Sequence, residues 1–220
     1  MTDTTAADVE QRARLSLGRS HQRIYGIVAD VLGTRHAGGA LADVGCGTGD
    51  LWPTLRGRFR TCIGVDAVRY EGLPPDVDFR AADLDAGLPL PDASVDAAAA
   101  VEVIEHLENP RAFVRELARI VRPGGWVIVT TPNQLSALSL LTLVLKGRFS
   151  AFQDEAYPAH RTALLEIDLR RIMTDCGLRE LAVAYTGLGR LPLSGWHYPR
   201  VIAQLAPRWL SDNVVIAGRR

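Results

Sequence analysis

The chain has 220 residues, 47% of them hydrophobic, and its 25 basic and 25 acidic side chains cancel. That length suits one α/β domain able to bury a substantial core, and the zero net charge removes any bulk attraction to nucleic acid or anionic lipid. Three cysteines (Cys46, Cys62, Cys176) lie far apart, with neither metal-ligand spacing nor an even disulfide count, so a reduced, cytoplasmic setting is expected. The polar, acidic start does not read as a signal peptide, and no apolar run approaches the ~20 residues of a bilayer span.

The first dozen residues read as loosely ordered. From Ile24 onward, Ile24, Ile27, Val28, Val31 and Leu32 recur at helical spacing until Gly33. Leu41 to Val44 then reads as a buried strand entering the run D-V-G-C-G-T-G, Asp43 to Gly49. Alternating glycines permit positive φ and allow a ligand to approach the backbone at contact distance, with unpaired helix amides facing the same gap. A dinucleotide loop wants G-x-G-x-x-G, but the third position is Asp50, and no Gly-Lys-Ser/Thr follows for a P-loop. Asp43 and Asp50 put negative charge where a polyphosphate would sit, so a cationic ligand is expected. A short helix begins between Asp50 and Leu55, with Pro53 in its first turn. Thr61 to Asp66 is the second strand, and Asp66 lies roughly twenty positions past the loop, where a strand-end carboxylate accepts ribose hydroxyls.

Val77 to Ala82 makes a third strand, followed by Asp83-Leu84, and Val95 to Val101 a fourth, whose small apolar residues suit burial on both faces. Glu102 to His106 lie just past a central strand, on the side where open parallel sheets hold ligands. His106 can take a proton from an acceptor hydroxyl, because an unperturbed imidazole titrates near neutrality; it reads equally well as a packing residue at a helix start. Asn109-Pro110 starts a helix with the apolar face Phe113, Leu117, Ile120 and Val121, ended by Pro123-Gly124-Gly125. Trp126 to Thr131 is the fifth strand, and Pro132-Asn133 turns over its end, making Asn133 a substrate-side candidate. The greasy segment from Gln134 to Phe152 is expected as a core or lid helix; the rival readings are a wall for an apolar acceptor or a peripheral membrane anchor. Tyr157 to Arg161 is a polar, aromatic loop containing His160. Leu165, Leu169, Ile172, Met173 and Cys176 mark a helix capped by Gly177. Leu178 to Thr186 is a strand, Pro192 to Pro207 an irregular insertion, and Asn213 to Ala217 the last strand. No metal-ligand cluster is visible along the chain, so no metal is expected.

The glycine run closely resembles the S-adenosylmethionine loop of class I methyltransferases. So do G-V-D at Gly64 to Asp66, A-A-D-L-D at Ala81 to Asp85, L-P-L-P-D-A-S-V-D at Leu88 to Asp96, V-E-V-I-E-H-L at Val101 to Leu107, R-P-G-G at Arg122 to Gly125 and T-P-N at Thr131 to Asn133. These pieces follow the family order, most similar to the bacterial type 11 and ubiquinone/menaquinone-biosynthesis enzymes. The resemblance implies a doubly wound, seven-stranded, mostly parallel sheet with the last strand reversed. It also implies S-adenosyl-L-methionine as cofactor and methyl transfer to a small molecule, with O-methylation favoured. Cofactor contacts would then be Asp43, Gly45, Cys46, Gly47, Gly49, Asp66, Ala67, Asp83, Leu84, Val101 and Glu102, with Asp83 taking the adenine amino group and the Leu84 amide a ring nitrogen. His106 or His160 would be the base, and Tyr25, with His21 beside it, a contact in an N-terminal lid over residues 14–25. Residues 1–23 are expected as a flexible segment or lid and 134–162 as a substrate-side insertion within one domain of 220 residues. Two rivals stay open: a nicotinamide-dependent Rossmann oxidoreductase and a non-catalytic cofactor-binding domain.

Overall fold

The computed structural model describes residues 18–35, 37–192 and 194–220. The expectation for the first dozen residues, and the part of the N-terminal lid before residue 18, lie outside them. The chain runs α1 (Gln22–Thr34), β1 (Gly39–Val44), α2 (Trp52–Leu55), β2 (Phe59–Asp66), β3 (Val77–Ala81), β4 (Val95–Ala100), α3 (Pro110–Ile120), β5 (Val121–Pro132), α4 (Ala137–Lys146), α5 (Glu166–Asp175), β6 (Arg179–Tyr185), α6 (Arg200–Leu205) and β7 (Asn213–Arg219). The strands form one seven-stranded sheet in the order β3-β2-β1-β4-β5-β7-β6. The first five are parallel, while β7 runs antiparallel to both β5 and β6. The doubly wound sheet with a reversed last strand is therefore present.

The sheet is covered on both faces, which is why its strands read as almost unbroken apolar runs. Along β5, Val127 and Val129 join the core formed with Phe113, Leu117, Leu169 and Met173 of α3 and α5. Ile128, between them, faces the other core with Ile24, Val28 and Leu32 of α1 and with Trp52 and Leu55 of α2. Asn109 caps α3 by accepting from the Ala112 amide, and Gly177 closes the end of α5 in a left-handed conformation, φ +84°.

Three expectations need correction. Gly33 does not stop α1, which continues to Thr34; beside it lies the end of the flexible Arg58 side chain. Of the core and lid readings of the apolar segment after β5, the core one fails: in α4 only Ser139 is buried, and Val144 and Leu145 are 81% and 65% exposed. The helix projects past the tip of β5, held at its start by the Ser136 cap and by the Ala137 amide on the Trp209 carbonyl. The segment read as irregular, Pro192 to Pro207, contains α6 with exposed Val201, Ile202 and Leu205. Apart from buried Ala203 its apolar residues face solvent, so the periodicity of so short a helix carried little signal.

Candidate functional site

The glycine loop joins β1 to α2, and its amides are satisfied within the protein. The amides of Gly45 and Cys46 donate to the Val65 carbonyl at 2.7 and 3.2 Å, Thr48 to the Gly18 carbonyl at 3.0 Å and Gly49 to the Cys46 carbonyl at 2.7 Å. The Gly47 amide donates to Asp66 Oδ2 at 2.8 Å. From Gly45 to Gly49 the amides are thus all paired, and a pyrophosphate would meet no donors from these residues. The glycines also answer to neighbouring protein. A Cβ at Gly45 would come within 2.3 Å of Val103, at Gly47 within 2.0 Å of the Gly18 carbonyl oxygen, and at Gly49 within 2.6 Å of Pro74. Residues 18–20 therefore lie as a strap directly on the loop. Gly47, at φ +50°, cannot gain a side chain without left-handed strain of about 1–2 kcal/mol and displacement of that strap. Gly47→Ala is accordingly expected to weaken cofactor binding by about tenfold and to speed proteolysis near residue 18; unchanged affinity in a calorimetric titration would show that the strap plays no part.

The strand tips carry a row of acids. Asp66 ends β2, where it accepts from Gly47 and, at 3.4 Å, from the Val68 amide. Burial raises its pKa, opposed by the Gly47, Val68 and Ala67 amides. Asp43 lies under the loop, only 3% exposed, and burial, then Asp66 and Asp50, push its carboxyl up to about 7. Glu102 follows β4 in a left-handed conformation, φ +55°. Its carboxylate accepts from Thr130 at 2.7 Å and Asn213 at 2.6 Å, while burial pushes it up to about 7.

A cavity of about 690 Å³ opens over these tips. It brings together Tyr25, Gly45, Asp66, Ala67, Asp83, Leu84, Val101, Glu102, His106 and His160, and His21 also lines it. The Tyr25 hydroxyl accepts from the Ser20 amide at 2.9 Å, which ties the strap to α1. Asp43, Cys46, Gly47 and Gly49 do not line the cavity, because the strap, Leu73, Pro74 and the core cover them. Asn133 does not line it either, contrary to the substrate-side expectation. Its side chain is buried, donating to the carbonyls of Arg208 and Ser211 and accepting from Leu135, and so fastens the end of β5 to the turn after α6.

His106 and His160, 54 positions apart in sequence, meet edge to face with ring centroids 4.8 Å apart. Nδ1 of His106 lies 2.8 Å from the Ala159 carbonyl and Nδ1 of His160 2.6 Å from the Ala151 carbonyl. A carbonyl oxygen only accepts, so each Nδ1 carries the proton and the lone pair of the neutral ring is on Nε2. Burial holds both rings below the usual imidazole range, His106 down to about 4 with the Ala159 carbonyl opposing and His160 reinforcing. The near-neutral base expected from an unperturbed imidazole is not what this environment makes. Beside them Glu105 is 1% exposed. Its Oε2 accepts from Thr131 at 3.1 Å, and its Oε1 has no hydrogen-bond partner among the described residues. One ligand atom from each of Glu105, His106 and His160 lies within 4.8 Å of the others. No spacing along the chain shows this grouping, which two loops assemble. Glu105 was visible in V-E-V-I-E-H-L; what turns it inward is the single 3-10 turn Ile104–His106, for which no periodicity exists to be read.

Sheet order, reversed final strand and a cavity over the parallel strand tips define a Rossmann-like α/β domain of the methyltransferase type. Residues 42–129 match the family model described as a methyltransferase domain. The chain is 31% identical over 202 residues to a probable S-adenosylmethionine-dependent methyltransferase of Mycolicibacterium smegmatis, covering 88% of this chain and 72% of that one. It is 32% identical over 117 residues to a ubiquinone biosynthesis O-methyltransferase of Paracidovorax citrulli, covering 49% of each, so the match spans about half of that relative. The solved structure of a SAM-dependent methyltransferase from Archaeoglobus fulgidus superposes with TM-score 0.62 at 16% identity, covering 89% of this chain and 94% of that one. The chain belongs to the S-adenosylmethionine-dependent methyltransferases. Asp66, Asp83 and Glu102 lining the cavity fit a cationic adenosyl ligand, and the internally bonded amides of the loop fit one without phosphates.

Proposed function

We propose that the acceptor is a hydroxyl oxygen on a small molecule with an apolar body. The observation that carries this reading is the placement of two neutral imidazoles at one end of the cavity, beyond the tip of β4, with the acids Asp66 and Asp83 at the other end, at the tips of β2 and β3. S-adenosylmethionine, when bound, supplies a methyl group on a sulfonium whose sulfur departs as a neutral thioether. Asp66 would hold the ribose, Asp83 and the Leu84 amide the adenine, and Gly45, Val101 and Glu102 the methionine part. Tyr25 and the 18–20 strap cover this end and exclude water.

His106 and His160 face the acceptor as candidate base or orienting groups. A ring held near 4 is a weak base: taking a proton from a phenol of pKa ~10 would be uphill by roughly 8 kcal/mol. The pair is better suited to orient an oxygen, or to act through something bound to it, than to deprotonate it alone. Support for an apolar body comes from the apolar α4 after β5, where Val144 and Leu145 are exposed. Relatives named for ubiquinone biosynthesis O-methylation support the hydroxyl. The test is methyl transfer from labelled cofactor to matched phenols, catechols and amines, each with and without an alkyl chain. We expect O-methyl products, with kcat/KM at least about tenfold higher for the alkylated rings, which is the worth of roughly two buried methylenes. Methylation confined to amines, or no gain from the chain, would overturn the reading.

A further inference from the structure

We propose that Arg190 and His197 form an anion-binding subsite on the cavity wall, which selects acceptors that carry a carboxylate. Both residues come from the chain between β6 and α6, which folds back on itself as a short hairpin. Arg190 and His197 face each other in an antiparallel bridge, the Leu191 amide donates to the Trp196 carbonyl at 2.7 Å, and the Tyr198 amide to the Gly189 carbonyl at 2.9 Å. Residues opposite one another in such a bridge point to the same side. Here that side is the cavity, because Arg190, His197 and Leu188, two positions before the arginine, all line it.

The segment before β7 holds the hairpin in place. Gly189 is buried, and a Cβ on it would lie 2.5 Å from the Leu210 carbonyl oxygen. The Gly187 amide donates to the Ser211 hydroxyl at 2.9 Å and the Asp212 amide to the Leu188 carbonyl at 3.1 Å. Asp212 then grips the arginine twice, Oδ1 accepting from its backbone amide at 3.3 Å and Oδ2 from its Nε at 2.5 Å. The acid is 16% exposed and the arginine 50%. Nε is thus committed, while Nη1 and Nη2 have no partner among the described residues. Two free donors on a planar fork match the two oxygens of a carboxylate, and the His197 ring adds an N–H beside them.

Position decides which end of an acceptor this subsite takes. Asp212 directly precedes β7, which stands four places from β2 and two from β4 in the sheet, roughly 19 and 10 Å at ~4.8 Å per strand. Asp66 and Asp83, at the tips of β2 and β3, attract the cationic cofactor and repel a carboxylate, so an anionic group is drawn to the β7 side. An acceptor held there lies along Leu188 and directs its far end toward β4 and the two histidines. The role in choosing the acceptor rests on the O-methylation reading; the binding of the anion does not.

The test uses the full chain saturated with S-adenosylhomocysteine and titrated by calorimetry with phenylalkanoates, which lack a hydroxyl, and with their primary amides. We expect each carboxylate to bind at least about fivefold tighter than its amide, by a margin that shrinks as salt is raised and disappears in Arg190→Gln. Arg190→Lys, a point charge without the fork, should keep only part of it. Binding of S-adenosylhomocysteine is measured on every variant to confirm folding. Should Arg190→Gln fail to fold, the double variant Arg190→Gln with Asp212→Asn, which leaves no unpaired acid, carries the comparison. The para-hydroxy forms of the same probes are then offered with labelled cofactor. Absence of any O-methyl product, with the binding preference intact, would sink the acceptor reading and leave the subsite standing. A parent that binds no carboxylate, or binds carboxylate and amide alike, or a preference that persists in Arg190→Gln, would overturn the subsite.

Discussion

Asp66→Ala is expected to weaken binding of S-adenosylhomocysteine by at least ~100-fold, because it removes two kinds of hydrogen bond to a charged group, each worth about 1.5–3 kcal/mol. One is within the protein: Asp66 Oδ2 holds the Gly47 amide at 2.8 Å. Without it that donor is left unpaired under the strap, and the loop loses its tie to the tip of β2. The other is the proposed grip on the cofactor ribose, for which a carboxylate at 8% exposure on the cavity wall is well placed. Asp66→Asn keeps one acceptor oxygen and should lose less. Calorimetric titration of both variants decides the matter: an alanine variant binding within a few-fold of the parent would remove Asp66 from the cofactor site.

Asp43→Asn should stabilise the cofactor-free protein at neutral pH relative to the parent, by an amount that grows from near zero at pH 4 toward the order of 4 kcal/mol above pH 7. Burial raises the folded-state pKa of Asp43 from 3.8 to about 7. Between those values the unfolded chain has released this proton and the folded one has not, so the parent loses stability as pH rises through the window. The amide cannot ionise and escapes that loss. Asp66, Glu102 and Glu105 are raised in the same sense, whereas His106 and His160, lowered, act oppositely at mildly acid pH. The difference between parent and variant isolates the Asp43 contribution from theirs. Urea unfolding across this pH range is the measurement, and a pH-independent difference would show that Asp43 does not carry the raised pKa.

These acids explain how much of the cofactor half could be read in advance. Asp43, Gly45, Gly47, Gly49 and Asp66 lie on one strand–loop–helix–strand passage, and a parallel sheet with short connections brings β1 and β2 side by side, Val44 against Val65. Local sequence spacing therefore translates into spatial spacing. Of the three glycines only Gly45 meets the cavity, and a Cβ at each would run into Val103, Gly18 or Pro74, which come from elsewhere in the chain. Asn133 failed similarly as a substrate contact, since the carbonyls that claim its amide belong to Arg208 and Ser211.

By itself the sequence determined seven strands and the sign of charge at their tips, because apolar periodicity, turn residues and strand-end acids act over a few neighbouring positions; their order in the sheet was implied by the resemblance to class I methyltransferases. Only the tertiary structure decided that His106 and His160 meet, that their Nδ1 protons are held by carbonyls, that burial favours both neutral rings and that one Glu105 oxygen beside them has no partner among the described residues. Each of those outcomes depends on burial and on partners more than forty positions away or on a backbone carbonyl with no sequence signature. Desolvation and long-range pairing are properties of the packed chain, and no spacing along it encodes them.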